Sequence, residues 1–509
     1  MDKEPAMKNP FTIDDSEVRI ADFISIAYER RPVQLSEDAA WRQKMEKSRE
    51  CLEQTLSAGK PVYGVSTGVG YDSCRTVEPE DSTAFAYQIF RQHGCGVGEP
   101  FSEPEGRAIV FSRLVCLAKG YSAVGMGLLE ALCGLLNKGV IPVIPSLGSV
   151  GASGDLTPLS YVAAVLAGER EAYYQGEILP AREALERAGL AVFRFAPKET
   201  LSIMNGTSVM AVIGAIAVQR LGRTLSFCER STALTAEVLL GRSQAFHPTA
   251  HRLKGHPGQI ASAAAIQTAL SDSGLMDSGD ESGRMVQDPY SIRCAPQVIG
   301  AARDGLTWAE QQIERELNSV NDNPIVDPDT GETIFAGNFY GGHVALAMDL
   351  LKNAAASVAD LVDRQFALMV DSRLNSGLPE SLVGYTGCGL KALQITCSAL
   401  TARAIQRTAP DTVTSRPTEV HNQDKVSMGL NAALSAREVV TLLQQVVATH
   451  LIAASNAAVL RDEDRISPQG KAFLGEIRTR SSVLEYDRRL DKDVDGLVGW
   501  IKNLSVSLN

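Results

Sequence analysis

Three long stretches limit what this chain can fold into. Residues 206–241, 343–375 and 430–462 each run without proline and carry apolar residues on more than one face. The first has 36 residues, roughly 54 Å if wholly helical. A helix of that length with apolar residues all round is buried on several sides. The spacing therefore predicts a central bundle of long helices. Shorter helical patterns lie at 41–56, 107–136, 260–271, 307–319 and 390–408, with others starting near 82 and 159. A short strand and turn is predicted at 173–179. No sustained alternation of strand and helix occurs, which excludes a doubly wound sheet. The expected fold is mainly α. A smaller N-terminal domain covers 1–200, and the long-helix bundle with the C-terminal helices covers 201–509.

Charge and cysteine usage narrow the function classes. The formal net charge is −11, and nucleic-acid binding calls for a basic patch instead. Nine scattered cysteines with no CxxC pair read as reduced thiols in a cytoplasmic protein, not as a disulfide framework or zinc site. The start, MDKEPAMKNPF, has no apolar stretch suited to a signal peptide. No run of apolar residues suggests a membrane span. His247 and His251 are four apart, but Pro248 interrupts the helix that a zinc site of that kind needs and the glutamate is missing. No metal is expected.

The chemistry is concentrated in residues 148–161, GSVGASGDLTPLSY. Ala152, Ser153 and Gly154 are too small to bury much surface. Glycine reaches backbone conformations closed to other residues, so the Gly154 nitrogen can fold back towards the Ala152 carbonyl carbon. The Ser153 hydroxyl can be eliminated to leave a methylene. Ring closure with loss of two waters then makes an electrophile from the chain itself. The plainer reading is a loop in which Asp155 caps the helix that follows.

A second stretch, Tyr63 followed by GVSTGVG at 64–70, reads as a half-buried tyrosine entering a glycine-rich loop. Residues 64–68 also fit G-x-S-x-G, the hydrolase nucleophile elbow, which requires a strand–turn–helix in an α/β sheet. A serine hydrolase and a non-enzymatic helical scaffold remain the distant alternatives. In QDPYSIR at 287–293, proline and aspartate indicate a turn, and an arginine is suited to gripping a carboxylate.

Together these strings resemble the aromatic amino-acid ammonia-lyase and aminomutase family, over nearly the whole chain. The resemblance implies that Ala152-Ser153-Gly154 becomes 4-methylidene-imidazol-5-one (MIO), and that the chain is a homotetramer acting on an aromatic L-amino acid. It implies Tyr63 as catalytic base, with Tyr290 assisting proton transfer. Because a free tyrosine titrates near ~10, the base role needs nearby positive charge or donors to lower that value. By the same resemblance Asn205 faces the ring and the substrate amine, Arg293 binds the substrate carboxylate, and Gln287 orders the site. Asn338 contacts the carboxylate side and Phe339 packs on the ring or on the substrate. Tyr340 departs from the histidine that family members often carry there.

Substrate choice is implied by two places. Glu419 and Gln423, in EVHNQD at 419–424, follow the phenylalanine/tyrosine pattern on the pocket floor. Gln92 and His93 read the substrate side chain, and this pair matches none of the usual combinations. Both hydrogen-bond, so a polar end on the substrate is expected. The expected substrate is of the tyrosine, dihydroxyphenylalanine or phenylalanine type. Histidine ammonia-lyase and a 2,3-aminomutase are the alternatives. The turn NSVNDNP at 318–324 is assigned no chemistry.

Overall fold

The computed structural model describes residues 9–279 and 286–504. The chain is mainly α, with 59% of it helical. The three long stretches form the helices Ser208–Val238, Gly342–Val370 and Gly429–Arg461. A fourth, Ala295–Leu317, begins twelve residues before its predicted start. Residues 107–136 divide into two helices, Glu103–Ala118 and Met126–Lys138. The break falls where Gly120 and Ala123 take positive φ, +80° and +52°, which a helix cannot hold.

Strands are few and short. Among the described residues the largest sheet has three strands, Ile141–Pro142, Glu171–Tyr174 and Glu177–Pro180, in that order and antiparallel. The last two form a hairpin where one short strand and turn was expected at 173–179.

By contacts the chain falls into two units. The first comprises residues 1–216, 311–348 and 410–434, so it holds 1–200 entire together with two later segments. The second comprises 217–310, 349–409 and 435–509.

In the second unit the long helices are held in register by buried polar pairs as well as by Ala, Val and Leu. Gln365 Nε2 donates to Thr232 Oγ1 at 3.0 Å, Gln444 Nε2 donates to Thr224 Oγ1 at 3.3 Å, and Thr235 Oγ1 lies 3.1 Å from His450 Nε2. Buried polar pairs of this kind specify one packing over its neighbours. Burial pushes the His450 imidazole down to about 3, so it is neutral at physiological pH.

Two helices, Ser208–Val238 and Gly429–Arg461, are long and apolar enough to cross a membrane, but their most apolar windows are 78% and 83% buried within the chain. Core helices behave in this way.

Candidate active site

The triplet lies in a tight loop between the strand Pro145–Leu147 and the helix Leu156–Leu166. Gly151, Ser153 and Gly154 all have left-handed φ, +74°, +59° and +72°. For Ser153, a residue with a Cβ, that conformation costs about 1–2 kcal/mol. The loop is held against neighbours that leave no room for side chains. A Cβ on Gly154 would run into the Gly206 carbonyl, and one on Gly151 into Ser427 Oγ.

Main-chain hydrogen bonds fasten both sides. Asp155 N–H donates to Gly206 O at 2.8 Å, and Met428 N–H donates to Val150 O at 2.9 Å. The helices Leu156–Leu166, Ser208–Val238 and Gly429–Arg461 thus begin at this loop. A Cβ on Gly341 or on Gly429 would strike the Met210 thioether, which places the start of Gly342–Val370 there too. The first turn of each of these helices has N–H groups without an intrahelical partner and carries roughly half a positive charge.

Asp155 was expected to cap its own helix, yet its side chain makes no such bond. It is fully buried and accepts from Met210 N–H at 2.8 Å and from Ser149 Oγ at 3.1 Å. It therefore caps the helix Ser208–Val238, which starts more than fifty residues later. Burial pushes its carboxyl up to about 7, against those hydrogen bonds and one from Val209 N–H.

A cavity of about 480 Å³ opens onto the triplet. Tyr63, Ala152, Ser153, Asn323, Phe335, Phe339, Tyr340, Asn422, Gln423, Asp424 and Lys425 are among the residues that line it. Gln423 Nε2 donates to Ser153 Oγ at 3.3 Å, while its Oε1 accepts from Thr418 Oγ1 at 2.6 Å. The turn between Thr418 and Gln423 carries three successive left-handed residues, Glu419, Val420 and His421. Both faces of the Gln423 amide are therefore engaged within the chain.

Tyr63 Oη accepts from Gly70 N–H at 2.7 Å. The Glu419 carboxylate lies over Gly70, where a Cβ would overlap its oxygens. Tyr63 was expected to be lowered by its surroundings. Instead burial raises its phenol, Glu419 raises it further, and the Gly70 bond lowers it less than burial raises it. Ser66, the serine of the elbow pattern, sits in a turn and accepts from Val62 N–H at 2.9 Å. No strand–turn–helix surrounds it.

Other expected site residues take varied positions. Asn205 is buried at the end of the helix Glu199–Met204, and its Oδ1 has no hydrogen-bond partner. Gln92 ends the helix Ser82–Gln92 and is exposed. His93 follows it, with Nδ1 2.9 Å from Ile89 O; neither residue lines the cavity. Asn338 is exposed and donates to Val320 O at 3.0 Å. Gln287, Tyr290 and Arg293 belong to the second unit and do not line the cavity. Tyr290 is 71% exposed, and the Arg293 guanidinium stacks 4.5 Å from its ring centroid.

Several lining residues were not singled out from sequence. Asn323 falls in the turn assigned no chemistry, and Phe335 and Lys425 lie outside the expected strings, whereas Asn422 and Asp424 belong to the segment 419–424 expected on the pocket floor. Behind the loop, Lys198 Nζ and Asp322 Oδ2 form a 2.7 Å ion pair with both side chains fully buried. Lys198→Met, which strands the Asp322 carboxylate, is expected to lower stability by about 3–5 kcal/mol in urea unfolding. A loss below about 1 kcal/mol, no more than an exposed pair contributes, would mean that water reaches this site.

Comparison with known proteins agrees with this architecture. Residues 18–479 match the model of the aromatic amino acid lyase family. The chain is 36% identical over 487 residues to histidine ammonia-lyase of Myxococcus xanthus, covering 95% of each chain. It is 38% identical to histidine ammonia-lyase of Gloeobacter violaceus, covering 96% of this chain and 94% of that one. Among solved structures it superposes on tyrosine aminomutase from Streptomyces globisporus with a TM-score of 0.91, at 33% identity and 97% coverage of both. Matches of this length and identity, on a mainly helical frame with the triplet at its helix N-termini, establish that the chain belongs to the aromatic amino acid lyase family and is a carbon–nitrogen lyase.

Proposed function

We propose that the protein is a cytoplasmic, homotetrameric histidine ammonia-lyase, releasing ammonia and urocanate, with MIO formed from Ala152-Ser153-Gly154. The observation that carries the substrate is the full-length similarity to histidine ammonia-lyases. By the family resemblance His93 reads the substrate ring, although it does not line the cavity of this chain. His93 Nδ1–H donates to Ile89 O, so in the neutral ring Nε2 is left as an acceptor. An imidazole N–H is a suitable donor to it.

The tyrosine-type expectation rested on Glu419 and Gln423. Gln423 is engaged with Ser153 and Thr418, and Glu419 lies over Gly70 beside Tyr63. The Ser153 hydroxyl leaves on ring formation and Gln423 lines the cavity, so these residues keep tyrosine in play, but the similarity over the whole chain weighs more. The similarity to tyrosine aminomutase keeps a tyrosine substrate as the second reading. A panel of histidine, tyrosine, dihydroxyphenylalanine and phenylalanine, followed by ultraviolet absorbance, separates them. Urocanate is expected at the highest kcat/KM, and a higher value for any cinnamate-type product overturns the proposal. His93→Ala should lower histidine kcat/KM by about tenfold to a hundredfold, the effect of one lost buried hydrogen bond. An unchanged value removes His93 from the site.

The triplet fits the group. The backbone is already coiled at Ser153 and Gly154, and the surrounding carbonyl and hydroxyl leave space for glycine alone. The group supplies an electrophilic methylene when formed. Tyr63 removes the Cβ proton of the substrate, and the helix N-termini stabilise the charge that develops. Asn205 Oδ1, unpaired in the chain, accepts from the substrate ammonium. Phe339 packs on the ring, and Asn338 lies on the carboxylate side. Arg293 holds the carboxylate, with Tyr290 assisting proton transfer and Gln287 ordering the segment.

The raised phenol of Tyr63 sets a pH dependence. The base acts as phenolate, so kcat/KM rises with pH into the alkaline range. Glu419→Gln removes a neighbouring anion that raises the phenol, so the rising limb should move to lower pH. A limb that stays in place or moves up means that Glu419 does not act on the base.

A further inference from the structure

We infer that Arg113 and Asn321 position the triplet for ring closure, by clamping the Gly206 peptide against Gly154. This rests on the proposal that Ala152-Ser153-Gly154 cyclises.

Arg113 lies on the helix Glu103–Ala118 and is fully buried. Its Nε donates to Ser202 O at 2.8 Å, and Nη1 donates to Asn321 Oδ1 at 2.7 Å. Asn321 Oδ1 also lies 3.4 Å from Thr207 N–H, and its Nδ2 donates to Ser319 Oγ at 3.1 Å. Gly206 lies directly on this pair, since a Cβ there would strike both Arg113 Nη1 and Asn321 Oδ1. On its other side Gly206 pairs with Gly154 as an isolated parallel bridge, and its carbonyl accepts from Asp155 N–H. A continuous wall therefore runs from Arg113 and Asn321 through Gly206 to Gly154. The buried Lys198–Asp322 pair braces Asn321 from the next residue.

Ring closure needs such a wall. The Gly154 nitrogen must reach bonding distance of the Ala152 carbonyl carbon, although an unconstrained chain keeps them apart. Holding reacting atoms in near-attack geometry is a recognised source of rate. The N–C bond forms as the Gly154 N–H proton passes to the Ala152 oxygen. That oxygen leaves as water with the Ser153 N–H proton. The second water takes the Ser153 hydroxyl and Cα proton, leaving the methylene. No oxidant is required. A further feature separates Arg113 from an ordinary structural arginine. Its Nη2 is buried without a partner, which costs about 1–3 kcal/mol or more for a charged group. Stability alone does not favour a guanidinium here; a planar fork that fits under Gly206 does.

The test is intact mass of the purified chain, read beside its melting temperature and assembly. Wild type is expected to be lighter than its sequence by two waters. Arg113→Lys keeps the charge and loses the fork, Asn321→Ala removes the shared acceptor, and Gly206→Ala pushes the clamp away. Each is expected to leave more than about half of the folded chains at full mass. Phe473→Ala, a core truncation in the second unit, should lower stability and still give complete loss of both waters. If Arg113→Lys fails to fold, the other two variants carry the same test. Folded variants as light as wild type overturn the inference. A wild type at full mass overturns the cyclisation proposal itself, and with it this one.

Discussion

Ser153→Ala should fold and assemble as the wild type does, keep its full sequence mass, and lose kcat by on the order of 10³–10⁶, as when a covalent catalytic residue is removed. The reason is that the reactive methylene derives from the Ser153 side chain alone. Little structure depends on the hydroxyl, whose one hydrogen bond is the 3.3 Å contact from Gln423. Its loss is expected to change stability by no more than about 1 kcal/mol. The measurements are turnover, intact mass and thermal unfolding. Wild-type turnover from a folded chain that has lost no water would end the mechanism proposed for this site.

Tyr63→Phe is expected to bind substrate, to lose two waters as the wild type does, and to turn over about 10²–10⁴-fold more slowly, the scale of a lost general base. The ring stays, and the structural loss is the bond from Gly70 N–H, about 0.5–1.5 kcal/mol. Retained mass deficit with lost turnover separates the base from the ring-forming machinery. Half of the activity surviving would move the base to another residue and leave Tyr63 as packing.

The helical frame was legible in the sequence because helix spacing is local. The three long helices end within a few residues of their predicted limits. Where the pattern continued across Gly120 and Ala123, one stretch was read and two helices formed, since backbone strain at a single alanine leaves no mark on periodicity. The triplet was legible for a different reason. Its chemistry needs only covalent neighbours, and Ala152, Ser153 and Gly154 are consecutive. Asp155 was read correctly as a cap and assigned to the wrong helix, because its partner Met210 is adjacent only in space.

What the sequence determined by itself is therefore the helical architecture, the family and the triplet proposed as reactive. What only the tertiary structure decided is the environment of that triplet. Arg113 sits in a helical pattern where a charge ordinarily marks the solvent face; it is buried, with a partner 208 residues away. Tyr63 precedes a glycine-rich loop in a way that suggests activation, yet burial and Glu419 raise its phenol. Glu419 and Gln423 match a substrate pattern in letters; the fold sets Gln423 in the cavity wall beside Ser153 and Glu419 over Gly70. Desolvation and electrostatic fields sum over groups brought together from distant parts of the chain, so they have no local signature and exist only once the chain has folded.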